Sequence, residues 1–415
     1  MKSLAFFLLF GALSAHAAVL SPSSIEVKFS YSAEFQTTDT SDAVTLANSH
    51  MQHLFGYLQS HSMVMKYNIN SETPGVGAPR LPLSYDILKN KKRAGVRTIA
   101  YKTSGVLLLN KKVAQDLLAQ GTWQITLPSD LDNFYDEKCT DEHYNSFGDF
   151  WYFYDPFRFG CEQLREAPLA SPVVVKISAL KQMDDADAQL DKVRGDNGNG
   201  DLFQITTING FSEDATNPGD DGRLSFEEVN QWLREAGFTE TVIAKFKNRP
   251  VHQFDKAVRK KDGTTVQIRV TRLLAETGVM SKNVTFAKFF KEAVKQSDVI
   301  IYAGHSGLGG NLDIGSLEEK AGPLEFNNRK HQIFFFDGCS SYSYYLSMFE
   351  AQKSKGKIDI LTNGLSSYFA YEAPIHIQFM KRLFKVNDNP TWGEILKDME
   401  KPLDGMTFML NVGSL

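Results

Sequence analysis

The sequence predicts an α/β chain, with a parallel sheet flanked by helices in its C-terminal half and a smaller α+β domain ahead of it. Three observations lead there. Two apolar runs without alternation, Val299–Ala303 and Ile333–Phe336, each end in a turn of small residues. Runs of that kind belong to strands covered on both faces. From Arg249 onward strand-like and helix-like stretches alternate, as βαβ units do. Before residue 170 the stretches are mixed, and the alternating ones have one polar face.

Length and composition fit this division. The 415 residues are 42% hydrophobic and 23% charged, with a net charge of −4. That is ordinary for globular domains and large enough for more than one core. Nothing in the charge suggests nucleic acid or a polybasic membrane anchor. The start has its own pattern: Lys2, the apolar run Leu4–Leu13, then Ala15-His16-Ala17. A basic residue, a short apolar core and an A-x-A site describe a secretory signal peptide. Cleavage is expected after Ala17, and residues 1–17 are excluded from the fold. No Cys follows, which argues against a lipid anchor, and no later stretch is long and apolar enough to insert in a membrane. The expected location is outside the cytoplasm, secreted or periplasmic.

Residues 18–170 make up the predicted first domain. Residues 25–35 alternate as a strand. Residues 42–59 carry Val44, Ala47, Met51, Leu54, Phe55 and Leu58 on one helical face. A Gly/Pro-rich loop, Thr73–Pro82, precedes two extended runs, Val96–Lys102 and Val106–Asn110. Thr103-Ser104-Gly105 between them suggests a hairpin. A helix over Lys111–Gln120 and a strand over Thr122–Leu127 complete a β-α-β-β-α-β order, the split βαβ motif. Residues 128–170 are aromatic and irregular, which suits junction packing better than a ligand patch. Pro172–Leu180 reads as a further strand.

Residues 171–245 include an acidic stretch rich in Asp, Asn and Gly. Its sharpest part is Asn217–Glu228, NPGDDGRLSFEE. Against a twelve-residue calcium loop, Asn217 falls at the first position and Asp221 at the fifth. Gly222 takes the turn, Arg223 the backbone ligand at the seventh, Ser225 the ninth and Glu228 the bidentate twelfth. The stretch resembles the EF-hand family over this loop and its exiting helix. It departs at Gly219, which has no side-chain oxygen, and the preceding residues make a poor entering helix. Calcium is therefore the one cofactor expected, against the alternative of a solvated acidic loop before an ordinary helix.

Residues 246–415 form the predicted α/β domain. Its strands are Thr265–Leu274, Val299–Ala303, the run ending near Cys339, and Lys357–Leu361. Its helices are Thr285–Gln296, Ser340–Gln352, and two near 375–385 and 391–400. In parallel sheets the groups that follow strand C-termini meet at one edge, where ligands bind. His305, in Gly304-His305-Ser306-Gly307, and Cys339, in Asp337-Gly338-Cys339-Ser340, both occupy such positions. Singly, Cys339 reads as a buried structural thiol and His305 as a turn residue. Together, each past an apolar run and flanked by Gly and Ser, they suggest an imidazole beside a thiol, the minimum for nucleophilic catalysis. His331 starts the strand that Cys339 ends, so it lies on the order of 25 Å away. The three cysteines leave one thiol over in an oxidising compartment. Cys139 and Cys161 flank one segment and are the candidate bridge.

These stretches resemble the pattern apolar strand–His–Gly, spacer, apolar strand–Asp/Ala–Cys–Ser of the cysteine peptidases of clan CD, which include caspases, legumains, gingipains, clostripain and separases, with Gly338, preceded by Asp337, in place of the usual Ala. The resemblance covers Thr265–Gly364, and it implies a caspase-like sheet. It also implies Cys339 as nucleophile, His305 as general acid–base, and an oxyanion hole from the amides of Cys339 and Ser306. Ser306 stands where the family has Gly, which narrows the approach to the oxyanion. The reading is then a secreted cysteine endopeptidase acting on a protein or peptide substrate. The alternative is an inactive caspase-like binding or adhesion protein with a calcium-stabilised segment.

Overall fold

Two sheets divide the chain, a mixed α/β arrangement. The computed structural model describes residues 18–133, 154–194, 201–246, 249–278 and 284–414. The expected signal peptide, Cys139, residues 134–153 of the aromatic segment and most of Asp196–Asp201 lie outside the described residues.

The first sheet has six strands, and its core cluster is built from their apolar positions. β1 (Ser24–Thr37) alternates buried and exposed residues along most of its length. Helix α1 (Ala43–Gln59) starts at Asp42, whose carboxylate accepts from the amides of Val44 and Thr45. A short α2 (His61–Lys66) follows, then β2 (Gly77–Pro79), β3 (Ser84–Arg93) and β4 (Val96–Asn110). The expected hairpin at Thr103-Ser104-Gly105 is not there. β4 runs straight through these residues, with Thr103 opposite Tyr31 and Gly105 opposite Phe29. Gly105 serves close packing, since a Cβ would fall 2.4 Å from Leu83 and 3.2 Å from the Phe29 ring. The hairpin joins β3 to β4 instead, through Ala94 (φ 50°) and Gly95 (φ 87°). Two residues at positive φ give the turn whose twist suits a hairpin. β3 is polar, SYDILKNKKR, and left no strand signal in the sequence.

Helix α3 (Lys111–Gln120) and β5 (Thr122–Pro128) appear as expected. β5 nevertheless does not reach β1. It pairs with β6 (Ala170–Ala179), and β6 takes the place beside β1. The order is β2-β4-β1-β6-β5, with β3 also on β4. The first sheet therefore extends past residue 170.

The second sheet has eight strands, in the order β14-β13-β12-β11-β7-β10-β9-β8. Five neighbours are parallel: β10 (Thr265–Ala275), β7 (Leu202–Gly210), β11 (Val299–Ala303), β12 (Gln332–Asp337) and β13 (Ile358–Asn363). The antiparallel edges are β14 (Leu410–Ser414) on one side, and β9 (Arg249–Arg259) with β8 (Thr239–Phe246) on the other. All five residues of β11 and all six of β12 are buried, as their unbroken apolar pattern requires. One face packs Ile301, Ile333 and Phe335 under α4 (Asp221–Glu235), α9 (Phe369–Phe384) and α10 (Trp392–Glu400). The other packs Ile300, Tyr302, Phe334 and Phe336 under α5 (Thr285–Gln296), with α6 (Ile314–Ala321) beyond it. The helix expected over Ser340–Gln352 is two short ones, α7 (Ser341–Tyr344) and α8 (Leu346–Glu350), entered through Ser340 at φ 51°. β7, hidden in the acidic stretch, was not anticipated. Strand order proceeds from it both ways, to β10 on one side and to β11, β12 and β13 on the other, which makes the carboxyl ends of β7 and β11 the switch point of the sheet.

The two sheets share a buried polar seam. Arg80 bonds both Glu350 oxygens at 2.8 Å, Tyr342 donates to Glu26 at 2.5 Å, and Ser343 donates to the Pro79 carbonyl at 2.6 Å. No helix among the described residues is long and apolar enough to cross a membrane.

Candidate active site

The register of β11 on β12 sets Ala303 opposite Asp337. His305 and Cys339 each lie two residues further on, from strands about 4.8 Å apart. Glycines permit this closeness. A Cβ on Gly338 would fall 2.7 Å from the Gly304 carbonyl oxygen, and one on Gly304 (φ 147°) would fall 3.3 Å from Gly210 at the end of β7. One short segment touches both groups. The Cys339 thiol lies 3.7 Å from the Ser367 carbonyl oxygen, and the Phe369 ring meets the His305 ring edge-on at 5.0 Å. Ser367 and Phe369 are two residues apart, at most about 7 Å.

The His305 loop is fixed from below. Tyr302 Oη and Asn311 Nδ2 donate to the His305 carbonyl at 2.6 and 2.8 Å, and Tyr345 Oη donates to that of Ser306 at 2.8 Å. The exposed imidazole sends Nε2 to the carbonyl of Ser212, just past β7. A carbonyl only accepts, so Nε2 carries the proton and Nδ1 is the basic nitrogen.

Ser212 is in turn held by Asp220. That carboxylate accepts from the amides of Ser212 (3.1 Å), Glu213 (2.9 Å) and Asp214 (3.2 Å) and from the Ser212 hydroxyl (2.8 Å). It also caps α4 through the Arg223 amide at 3.1 Å. Although Asp220 is only 3% exposed, these bonds outweigh desolvation and bring its pKa down to about 2. Sequence reasoning missed both residues. The signal was an Asp at the mouth of a helix, counted instead as part of a metal loop.

Cys339 is a free, half-buried thiol. It borders a cleft of about 700 Å³ between the two sheets, with Ser366 and Tyr368 on one side and Gln59, Glu72 and Asp155 on the other. Residues after Gly364 and residues of the first domain line the cleft, and the loop after Gly307 borders a separate hollow. His305 is not among the residues lining the larger cleft. Gln59 steadies both flanks of the thiol, donating to Ser340 Oγ at 3.1 Å and accepting from Ser366 Oγ at 3.4 Å.

The thiol is not poised as a thiolate. Burial pushes its pKa up, and the Asp337 charge adds to this, against weaker lowering by bonds to Ser367 and Ser366. Nor does the following helix favour the thiolate, because α7 is a four-residue turn entered through a left-handed Ser340. Among the described residues, the amides of Ser306 and Cys339 donate no hydrogen bond to protein. A Cβ on Gly338 would stand 3.7 Å from the Ser306 nitrogen, so the two amides are neighbours. Ser306 itself is 4% exposed, so its side chain does not fill the cleft.

The other histidines considered have separate partners: His376 with Asp337 (2.9 Å), His331 with Asp359 (2.7 Å) and His252 with Glu240 (2.6 Å). Cys161 is disulfide-bonded, and the other cysteine of the expected bridge, Cys139, lies outside the described residues.

The residues proposed for calcium do not make a calcium loop. α4 begins at Asp221, so Asp221, Arg223, Ser225 and Glu228 lie along one helix. Asp221 and Glu228 are about 10 Å apart along its axis. Asn217 Oδ1 accepts from the Gly219 amide, and Arg223 donates to the carbonyls of Asn217 and Ala215. Gly222 is required for contact rather than for a turn, since a Cβ would lie 2.1 Å from the Gly210 carbonyl oxygen. Leu224, at the apolar loop position, is 51% exposed. Among the described residues no group of three or more His, Cys, Asp or Glu could hold a metal ion.

No protein-family model matches the chain, and no curated protein matches it.

Proposed function

We propose that the chain is a cysteine endopeptidase with a caspase-like catalytic sheet, acting through Cys339 and His305 on a peptide bond held in the cleft between the two sheets. The observation that carries this reading is the juxtaposition of imidazole and free thiol past neighbouring parallel strands, beside two unengaged amides. His305 Nδ1 accepts the thiol proton as Cys339 Sγ attacks the scissile carbonyl carbon. The oxygen of the tetrahedral intermediate becomes an anion and accepts hydrogen bonds from the amides of Ser306 and Cys339. The C–N bond breaks, and the imidazolium returns the proton to the departing amine. Water, deprotonated by His305, then attacks the thioester and releases the acid and the thiol. Burial, by raising the thiol pKa, disfavours a thiolate formed ahead of substrate.

The test is cleavage of a fluorogenic peptide library by the wild type, Cys339→Ala and His305→Ala. Cleavage by the wild type alone, with alkylation of Cys339 abolishing it, supports the enzyme. A thiol that reacts no faster than a free cysteine, with no peptide cleaved, supports the inactive binding protein instead.

A further inference from the structure

Three aromatic side chains are exposed among the described residues: Phe157 at 45%, Phe159 at 97% and Tyr368 at 43%. All three line the cleft that Cys339 borders. The other exposed large apolar side chains among the described residues carry no ring, and none of them lines it. Isolated apolar side chains on a surface need no explanation. A group of them around one concave site marks a place where something apolar binds.

The rings stand on an anchored backbone. The buried Asp155 carboxylate accepts from the Phe157 amide at 3.0 Å and from the Ser62 amide, at the start of α2, at 3.1 Å. The Asp155 carbonyl accepts from the Arg158 amide, and the Arg158 carbonyl from the Cys161 amide, both at 3.1 Å. Cys161 is itself buried and disulfide-bonded. Gly160, at φ 82°, turns the chain back and leaves Phe159 at the tip. Tyr57 meets the Phe157 ring edge-on at 5.4 Å and the Arg165 guanidinium lies 5.5 Å from its centre, which covers only part of it. On the opposite side, Tyr368 follows Ser367, whose carbonyl lies against the Cys339 thiol, and its ring leans on Phe408 at 5.5 Å. Uncovered rings on a fixed backbone offer contact area without the cost of ordering a loop. The acidic groups of the cleft are poor readers of a basic side chain. Asp155 is engaged by two amides, and Glu72 is exposed, where water screens it.

We propose that this cleft selects an extended peptide with a large apolar or aromatic side chain close to the bond presented to Cys339, and that Phe157, Phe159 and Tyr368 cover that side chain. Removing apolar surface from water supplies the selectivity. That the bound peptide is a substrate rests on the peptidase reading above. The preference of the cleft does not, and the test separates the two.

The test reads protection of Cys339 in His305→Ala, which keeps the thiol and removes the general base, so that added peptide stays intact. Iodoacetamide labelling of Cys339 is followed by mass spectrometry in the presence of short blocked peptides that differ at one position: Phe, Leu, Ser, Asp or Lys. The Phe and Leu peptides are expected to halve labelling at concentrations about tenfold or more below the other three. Phe159→Ser removes a solvent-exposed ring, so it should keep the melting temperature and lose most of that preference. The wild type should cleave the same peptides in the same order. Selective protection without cleavage supports the cleft's preference and counts against the peptidase. Cleavage without apolar preference does the reverse. Equal protection by all five peptides, stronger protection by Asp or Lys, or an unchanged preference in Phe159→Ser overturns the proposal. So does a wild type that sediments as a dimer with Phe159→Ser a monomer, since a second copy is then what the rings cover.

Discussion

Replacing Asp220 tests the link between the acidic stretch and the candidate catalytic histidine. The carboxylate takes four backbone amides and one hydroxyl while 3% exposed. Losing a helix N-cap costs about 1–2 kcal/mol, and each buried amide left without an acceptor costs roughly 1–3 kcal/mol. These terms are not additive, so Asp220→Ala is expected to destabilise by about 4 kcal/mol. Asp220→Asn keeps an acceptor but loses its charge. Neutral bonds are about half as strong, so the loss is about 2 kcal/mol. The pH dependence has a definite sign. The folded pKa is brought from 3.8 down to about 2, so this stabilisation is complete above about pH 4 and disappears as pH falls toward 2. Thermal melts of wild type and Asp220→Asn should therefore differ at pH 6 and converge near pH 2. The same variant loosens Ser212, so the downfield-shifted NMR signal of the His305 Nε2 proton should weaken, and peptide cleavage should fall more than stability requires. An Asp220→Asn protein with wild-type melting at pH 6 and an unchanged His305 signal would refute the account.

Four further outcomes are expected. Gly338→Ala forces a Cβ to within 2.7 Å of the Gly304 carbonyl, so the His305 and Cys339 turns must separate. Overpacking of this kind costs about 1–3 kcal/mol, and cleavage should drop at least tenfold, which single-turnover assays would read. Because burial raises the Cys339 pKa, its iodoacetamide labelling rate should still be climbing through the ordinary thiol range near pH 9. A plateau at pH 7 would contradict this. Gln59→Ala removes both bonds that flank Cys339 and should change labelling kinetics with a melting loss equivalent to about 1–2 kcal/mol. Millimolar calcium or a chelator should leave the melting temperature unchanged, since Asp221–Glu228 is helical. A rise of several degrees with calcium would restore the loop reading.

The one-dimensional pattern determined much of the second sheet and the edge at which its two candidate groups emerge. Unbroken apolar runs had to become strands buried on both faces, and α5 and β11 have the predicted bounds. Groups past neighbouring parallel strands had to emerge at the same edge, so His305 and Cys339 were legible from spacing alone. Strand signals failed where other contacts decided. β3 is polar because it lies at the margin of its sheet, and β7 carries Thr206, Thr207 and Asn209 because these side chains meet Ser297 and Arg272. The calcium pattern is ambiguous because capping and metal binding call on the same residue types. A carboxylate beside a glycine suits either, and only the position of Gly210 against Gly222 shows that the glycine admits a backbone. The tertiary structure alone decided what surrounds the candidate groups: the Ser212 carbonyl, the Asp220 brace, and a cleft completed by helix and loop residues of the first domain, Gln59 and Asp155 among them. The first two depend on how β7 and the start of α4 pack beside β11, the third on how the two halves of the chain meet, and local sequence periodicity holds no record of either.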